Sequence, residues 1–129
     1  MKRIAILSAL PILAALAAPA FAEGDATKGE AVFKKCMACH SVKDKTKKVG
    51  PHLQGIIGRA IGSVEGFKYS ASMMEYAATA VTWDDAKFLA YIENPKKDVP
   101  KGTMAFGGIK DAAERDNLLA YLKTITVTP

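Results

Sequence analysis

Cys36 and Cys39, the only two cysteines of the chain, and His40, one of its two histidines, fall within the five residues "CMACH". Three chemistries compete for such a cluster. A redox-active disulfide usually opens a helix inside a strand-helix-strand pattern, and that pattern is missing here. A zinc site would need His40 and His52 beside the two thiolates, but the close His pairing typical of such sites is absent. In the third chemistry, C-x-x-C-H attaches haem: each thiol adds across a vinyl group, and the adjacent histidine reaches the iron from the proximal face. The spacing suits this, because residues three apart share one side of a helical turn.

An iron that only moves electrons needs a second axial ligand, and histidine or methionine is the usual choice. Met1 lies at the very start of the chain and Met37 lies inside the attachment loop, while Met73 and Met74 stand in an Ala/Ser-rich segment that suits surface or gap-filling roles. Met104 belongs to "VPKGTMAFGG", a loop bounded by proline and glycine that can return over the opposite face of a bound group. Met104 is therefore the expected ligand, with a core methionine as the plain alternative. His52 is read as a loop residue.

The beginning of the chain places this chemistry in a compartment. Lys2 and Arg3 precede an apolar run from Ile4 to Ala18 and a small-residue triplet Ala20-Phe21-Ala22, which reads as a secretory signal peptide cut after Ala22. The run is short for a bilayer span and Pro11 interrupts it. Export favours the third chemistry, since free thiols in an oxidising compartment would otherwise pair. Residues 23–129 then form one domain. The formal charge of +5 falls when Lys2 and Arg3 leave. No block is basic and aromatic together, which argues against nucleic acid and leaves room for an acidic protein partner.

These residues must be held by helices and loops. Asp25 can cap a helix running to about Lys35, directly into the cysteine cluster. From Ser41 to Gly66 the composition is rich in lysine and includes five glycines, which makes a loop region around "VGPHLQGIIGRAIG". Strand-like alternation is absent. Thr82 is an N-cap for a helix over about Asp84 to Glu93, stopped by Asn94-Pro95. Asp111 opens a last helix in which Leu118, Tyr121, Leu122 and Ile125 make one apolar stripe. Few apolar residues lie in the middle, so the loops need something to fold around. A large buried cofactor supplies it.

The segments "GDATKGEAVFKKCMACH", "VGPHLQGIIGR", "GFKYS", "TWDDAKFLAYIENPKK" and "AERDNLLAYLK" occur in this order. The chain so read resembles the soluble class I cytochromes c, the family of mitochondrial cytochrome c and its bacterial periplasmic relatives. The resemblance implies an all-α fold around one covalently bound haem c, with crossing first and last helices that set Gly29 and Phe33 against Leu118 and Tyr121. It implies His40 and Met104 as iron ligands and Cys36 and Cys39 as the attachment points. Pro51 resembles the residue whose carbonyl accepts the His40 ring N–H. Arg59, Tyr69 and Trp83 resemble the groups that hydrogen-bond a buried propionate, and Tyr91 resembles the tyrosine that donates to the ligand sulfur. The chain departs from the family in a longer Tyr69–Trp83 segment, in Met73 where an asparagine often sits, and in the order Lys101-Gly102-Thr103-Met104, which leaves open whether Thr103 reaches a propionate.

A haem with both axial positions filled implies a one-electron carrier and not an enzyme; an open iron site would instead make a haem enzyme or gas sensor. The His/Met pair favours the ferrous state and so the oxidising end of an electron-transfer chain. The implied setting is a periplasmic monomer with a cytochrome bc-type complex as donor and an oxidase or photosynthetic reaction centre as acceptor. Lys34, Lys35, Lys43, Lys45, Lys47, Lys48, Lys96, Lys97 and Lys101 offer a face for acidic partners.

Overall fold

The computed structural model describes residues 14–15 and 23–129. The expected signal segment, Ala14 and Ala15 apart, lies outside the described residues. Among the described residues five helices follow one another: α1 (Ala26–Phe33), α2 (Ala71–Ala80), α3 (Asp85–Glu93), α4 (Pro95–Asp98) and α5 (Ala112–Thr124). Among the described residues there is no strand, only an isolated antiparallel bridge between Ala60 and Thr82. The fold is the small all-α arrangement that the sequence implied.

Capping sets where the main helices begin. Asp25 accepts from the backbone N–H groups of Thr27 and Lys28, and Asp111 accepts from that of Glu114. Each carboxylate satisfies donors that the first helical turn leaves unpaired and sits at the positive end of the helix dipole. α3 departs from expectation by a small step: its cap is Asp84, which accepts from the Lys87 N–H, and not Thr82. Thr82 is instead taken up by the bridge to Ala60. Two helices were not anticipated. α2 starts on Ser70, whose hydroxyl accepts from the Met73 N–H, and α4 is a four-residue turn with Pro95 in its first position.

α1 and α5 pack against one another, and a glycine sets how closely. A Cβ on Gly29 would stand 1.9 Å from the Asn117 carbonyl oxygen and 2.7 Å from Tyr121 Cβ. Only a residue without a side chain permits that approach. The contact is extended by the Phe33 and Tyr121 rings, with centroids 5.6 Å apart, and by the Asp25 N–H donating to Asn117 Oδ1 at 2.7 Å. Leu118 and Leu122 of the expected stripe are fully buried, with Leu119 beside them; Tyr121 and Ile125 are only partly covered. The core runs on through Phe88, Tyr91 and Ile92 of α3 to Trp83, Val99 and Ile109.

Candidate functional site

α1 delivers the cysteine cluster. Its last turns continue beyond Phe33 through Cys36 N–H to the Phe33 carbonyl (2.8 Å) and Met37 N–H to the same oxygen (3.2 Å). A second tight turn brings the Cys39 and His40 N–H groups onto the Cys36 carbonyl at 3.0 and 2.9 Å. Both thiols are free and half-buried. Burial pushes the Cys36 thiol above its ordinary range, against a smaller opposing pull from Lys35.

The His40 ring is fixed by one bond, its Nδ1 lying 2.7 Å from the Pro51 carbonyl oxygen. A carbonyl can only accept, so Nδ1 carries the proton and Nε2 keeps a free lone pair. Burial lowers the His40 pKa, more than the Pro51 bond raises it, which favours the neutral ring that a metal needs. Gly50 gives the ring its space: a Cβ there would lie 2.3 Å from His40 Cε1.

Cys36, Cys39, His40, Pro51, Arg59, Tyr69, Trp83, Tyr91 and Met104 all line one cavity of about 260 Å³. Its floor is apolar, formed by Phe33, Leu53, Ile56, Phe88, Leu118 and Leu122. Val49, 77% exposed, also lines it and marks where it meets solvent. Thr103 reaches the same cavity. So does Met73, which the sequence alone placed at the surface or in a gap-filling role; the unanticipated helix α2 turns it inward, while Met74 stays half exposed.

Polar groups occupy one side. Arg59 donates through Nη1 to the carbonyls of His52 (3.0 Å) and Gln54 (3.1 Å), while its Nε–H is buried with no partner. Burial lowers the Arg59 pKa, yet arginine remains a cation at any ordinary pH. A buried guanidinium with an unanswered donor fits an anionic oxygen inside the cavity. The Tyr69 hydroxyl accepts from the Val64 N–H at 3.0 Å, which leaves its own proton for another acceptor. Tyr91 lies against Trp83 and Tyr76, with centroids 4.9 and 6.3 Å away, and burial pushes its pKa up to about 12. It stays a protonated donor throughout the working range of a protein.

His52 is not part of this set. It is buried, its Nδ1 accepts from the Gln54 N–H at 3.2 Å, and its carbonyl holds Arg59. Among the described residues no group of three or more His, Cys, Asp or Glu side chains could hold a metal ion, so the zinc reading lacks a ligand set. The cavity does fit haem in three respects: two thiols one helical turn apart, an imidazole with its lone pair free, and a buried guanidinium with one donor, Nε–H, unanswered. Lys35 lines the cavity and its ammonium pairs with Glu114 at 2.8 Å, so its charge is answered by an acidic side chain from the far end of the sequence.

Comparison with known proteins identifies the family. The family model described as cytochrome c matches residues 26–126. Cytochrome c2 of Blastochloris viridis is 44% identical over 113 residues, 87% of this chain and 86% of the relative. The cytochrome c-type cyt cy of Rhodobacter capsulatus is 45% identical over 108 residues, and there the alignment covers 83% of this chain but about half (52%) of the relative. Among solved structures, cytochrome cH from Methylobacterium extorquens superposes with a TM-score of 0.71 at 38% identity, covering 78% of this chain and 99% of that one. With two thirds of the chain matched and more, and with relatives well above 40% identity, the chain belongs to the cytochrome c family, whose cofactor is a covalently attached haem c.

Proposed function

We propose that this protein is a one-electron carrier of the periplasm, exported by residues 1–22 and folded as the single domain 23–129, and that it is not an enzyme. The observation that carries the reading is the cavity that gathers Cys36, Cys39, His40 and Met104 with a buried, unanswered Arg59 donor. Haem, once bound, supplies an iron that accepts and returns one electron.

The chain's own groups do the rest. The Cys36 and Cys39 thiols would hold the haem covalently, each S–H adding across one vinyl group with its sulfur on one carbon and its hydrogen on the other. His40 offers Nε2 to the iron, held in that tautomer and made a stronger donor by the Pro51 carbonyl. Met104, from the Gly102–Phe106 loop that lines the same cavity, would be the second ligand and would leave no open position of the kind a haem enzyme or gas sensor needs. Arg59, Tyr69 and Trp83 would hold a propionate, and Tyr91, which stays protonated, would donate to the Met104 sulfur. The apolar floor excludes water and disfavours the extra charge of the ferric state, which adds to the effect of the thioether in raising the potential.

Partners are the acidic faces of membrane redox complexes, a cytochrome bc-type complex as donor and an oxidase or photosynthetic reaction centre as acceptor, met by a monomer. The relative named cytochrome c2 supports the reading of an electron carrier; among the described residues no helix is long and apolar enough to cross a membrane. The decisive experiment is an absorbance spectrum of the purified protein with and without reductant, followed by denaturing electrophoresis. The expected result is a low-spin c-type spectrum whose haem stays on the polypeptide. Haem released on denaturation, or a high-spin iron at neutral pH, would sink this reading.

A further inference from the structure

Gln54 is a polar side chain with 1% exposure, and every polar atom of that side chain is used. Its Nε2 donates to the Val42 carbonyl at 3.1 Å. Its Oε1 accepts twice from Thr128, from the backbone N–H at 3.1 Å and from the hydroxyl at 3.0 Å. Thr128 lies beyond the end of α5 and 74 residues away in sequence. The approach is close at the next residue too: Gly55 has φ +63°, and a Cβ there would stand 2.6 Å from Val127 Cγ2. A left-handed residue without a side chain is what lets the segment after α5 lie down at this point.

The clasp joins that segment to the loop from Pro51 to Arg59. Leu53 and Ile56, flanking Gln54, line the cavity, and the ends of the loop are two of its polar groups: Pro51, which holds the His40 ring, and Arg59, whose Nη1 is anchored on the Gln54 carbonyl itself. The rest of the loop is held by Leu53 N–H to the Ser41 carbonyl (2.8 Å), by a reciprocal pair between Gly58 N–H and the Trp83 carbonyl (2.7 Å) and between Trp83 N–H and the Arg59 carbonyl (2.9 Å), and by turn bonds from Ile56 to Leu53 and from Arg59 to Ile56. Single turn and loop bonds of this kind open at lower cost than a packed helix, so a contact from outside the loop raises that cost.

We infer that residues 125–128 are a strap, clasped by the buried Gln54, that holds the Pro51–Arg59 loop against the cavity, making Gln54 and Thr128 positioning residues for the carbonyl behind His40. Nothing in the cysteine, histidine or methionine pattern calls for this strap; it rests on the Thr128–Gln54–Val42 and Arg59–Gln54 bonds. Its effect on the iron rests on the ligation by His40 proposed above, whereas its hold on the loop does not.

The test is hydrogen exchange on the haem-loaded protein, comparing the unaltered chain with Thr128→Val and with a chain ending at Thr126. Gln54→Leu is the sharper change, but it strands the Val42 carbonyl and risks misfolding; the two tail variants leave Gln54 in place. Removing the clasp should speed exchange at Leu53, Ile56 and Gly58 roughly tenfold in the shortened chain, and less in Thr128→Val. The amides of α3 and of the α1–α5 crossing should keep their rates. The midpoint potential should rise in the shortened chain, because a loosened Pro51 carbonyl makes His40 a weaker donor and the ferric state loses more than the ferrous. Unchanged loop exchange, or acceleration spread evenly over all helices, would overturn the strap. Faster loop exchange with an unmoved potential would overturn the positioning role. The ring resonances of His40, displaced by ferric iron only if His40 is a ligand, separate that outcome from a failure of the ligation itself.

Discussion

At the scale of single residues, two methionines share the cavity, and their settings assign them different work. Met104 stands in a loop whose neighbours Gly102, Thr103, Ala105 and Phe106 all line the cavity, whereas Met73 comes from helix α2; both pack against the core. Met104→Ala should abolish the weak ferric charge-transfer band of a thioether-bound iron and lower the potential, while Met73→Ala should keep the band; near-infrared-edge absorbance and a redox titration read both. The reverse pattern would make Met73 the ligand. His52 allows a pH prediction. Burial first, then the charges of Arg59 and Lys45, lower its pKa below the ordinary value near 6.5. The unfolded chain therefore binds a proton at a pH where the folded one does not, so this contribution to stability is full above about 6.5 and is lost as pH falls through the folded value. Melting temperatures at pH 7.5 and 5.5 should differ less in His52→Asn than in the unaltered protein. An equal difference in both would mean that His52 does not contribute.

At the scale of elements, the α1–α5 crossing is the joint on which the attachment turn depends, because α1 runs straight into Cys36. Gly29→Ala puts a methyl 1.9 Å from the backbone of Asn117. With backbone as the obstacle the helices must part, and a loss of about 1–3 kcal/mol is expected from thermal or denaturant unfolding of the haem-loaded protein. A neutral result would show that the crossing can open without cost. The helices bearing strong caps and a clear stripe, α1 and α5, were legible in the sequence because Asp25 and Asp111 act through the three residues that follow them. α3 was legible as a helix but not in its first residue, since Thr82, a residue type that also caps, was taken by the bridge to Ala60. α2 was overlooked although its signal is present: Met73, Tyr76, Ala77 and Ala80 recur at i, i+3, i+4, i+7 behind the capping Ser70 and pack on the core, with only Ala80 fully buried. Parts of the site were out of reach for a different reason. "CMACH" is contiguous and speaks for itself, but the Lys35–Glu114 pair and the Gln54–Thr128 clasp join distant positions that no local pattern relates.

On the scale of the whole molecule, the contacts of the lysines sort them into two groups. Lys35 lines the cavity, Lys48 Nζ donates to the Met37 carbonyl between the two cysteines, and Lys96 Nζ donates to the carbonyl of Gly102 on the cavity wall. Lys97 and Lys110 instead flank a separate hollow with Glu93 and Asp98, and Lys123 pairs with Asp85. Lys97 lines that hollow and not the cavity. An electron carrier must meet its partner fast and leave fast, and long-range charge attraction speeds the encounter without a large dry interface. The Debye length is roughly 10 Å at about 0.1 M salt, so such attraction should fade as salt rises beyond that. The bimolecular rate of electron transfer to an acidic redox complex, followed by stopped flow, should therefore fall with salt. Neutralising Lys48 and Lys96 together by glutamine should depress that rate severalfold at low salt, far more than neutralising Lys97 and Lys110, and should leave the haem spectrum unchanged. Lys35 should matter less than its position at the cavity suggests, because Glu114 already answers its charge. A rate indifferent to salt, or equally sensitive to both pairs of lysines, would place recognition on apolar contact or on another face.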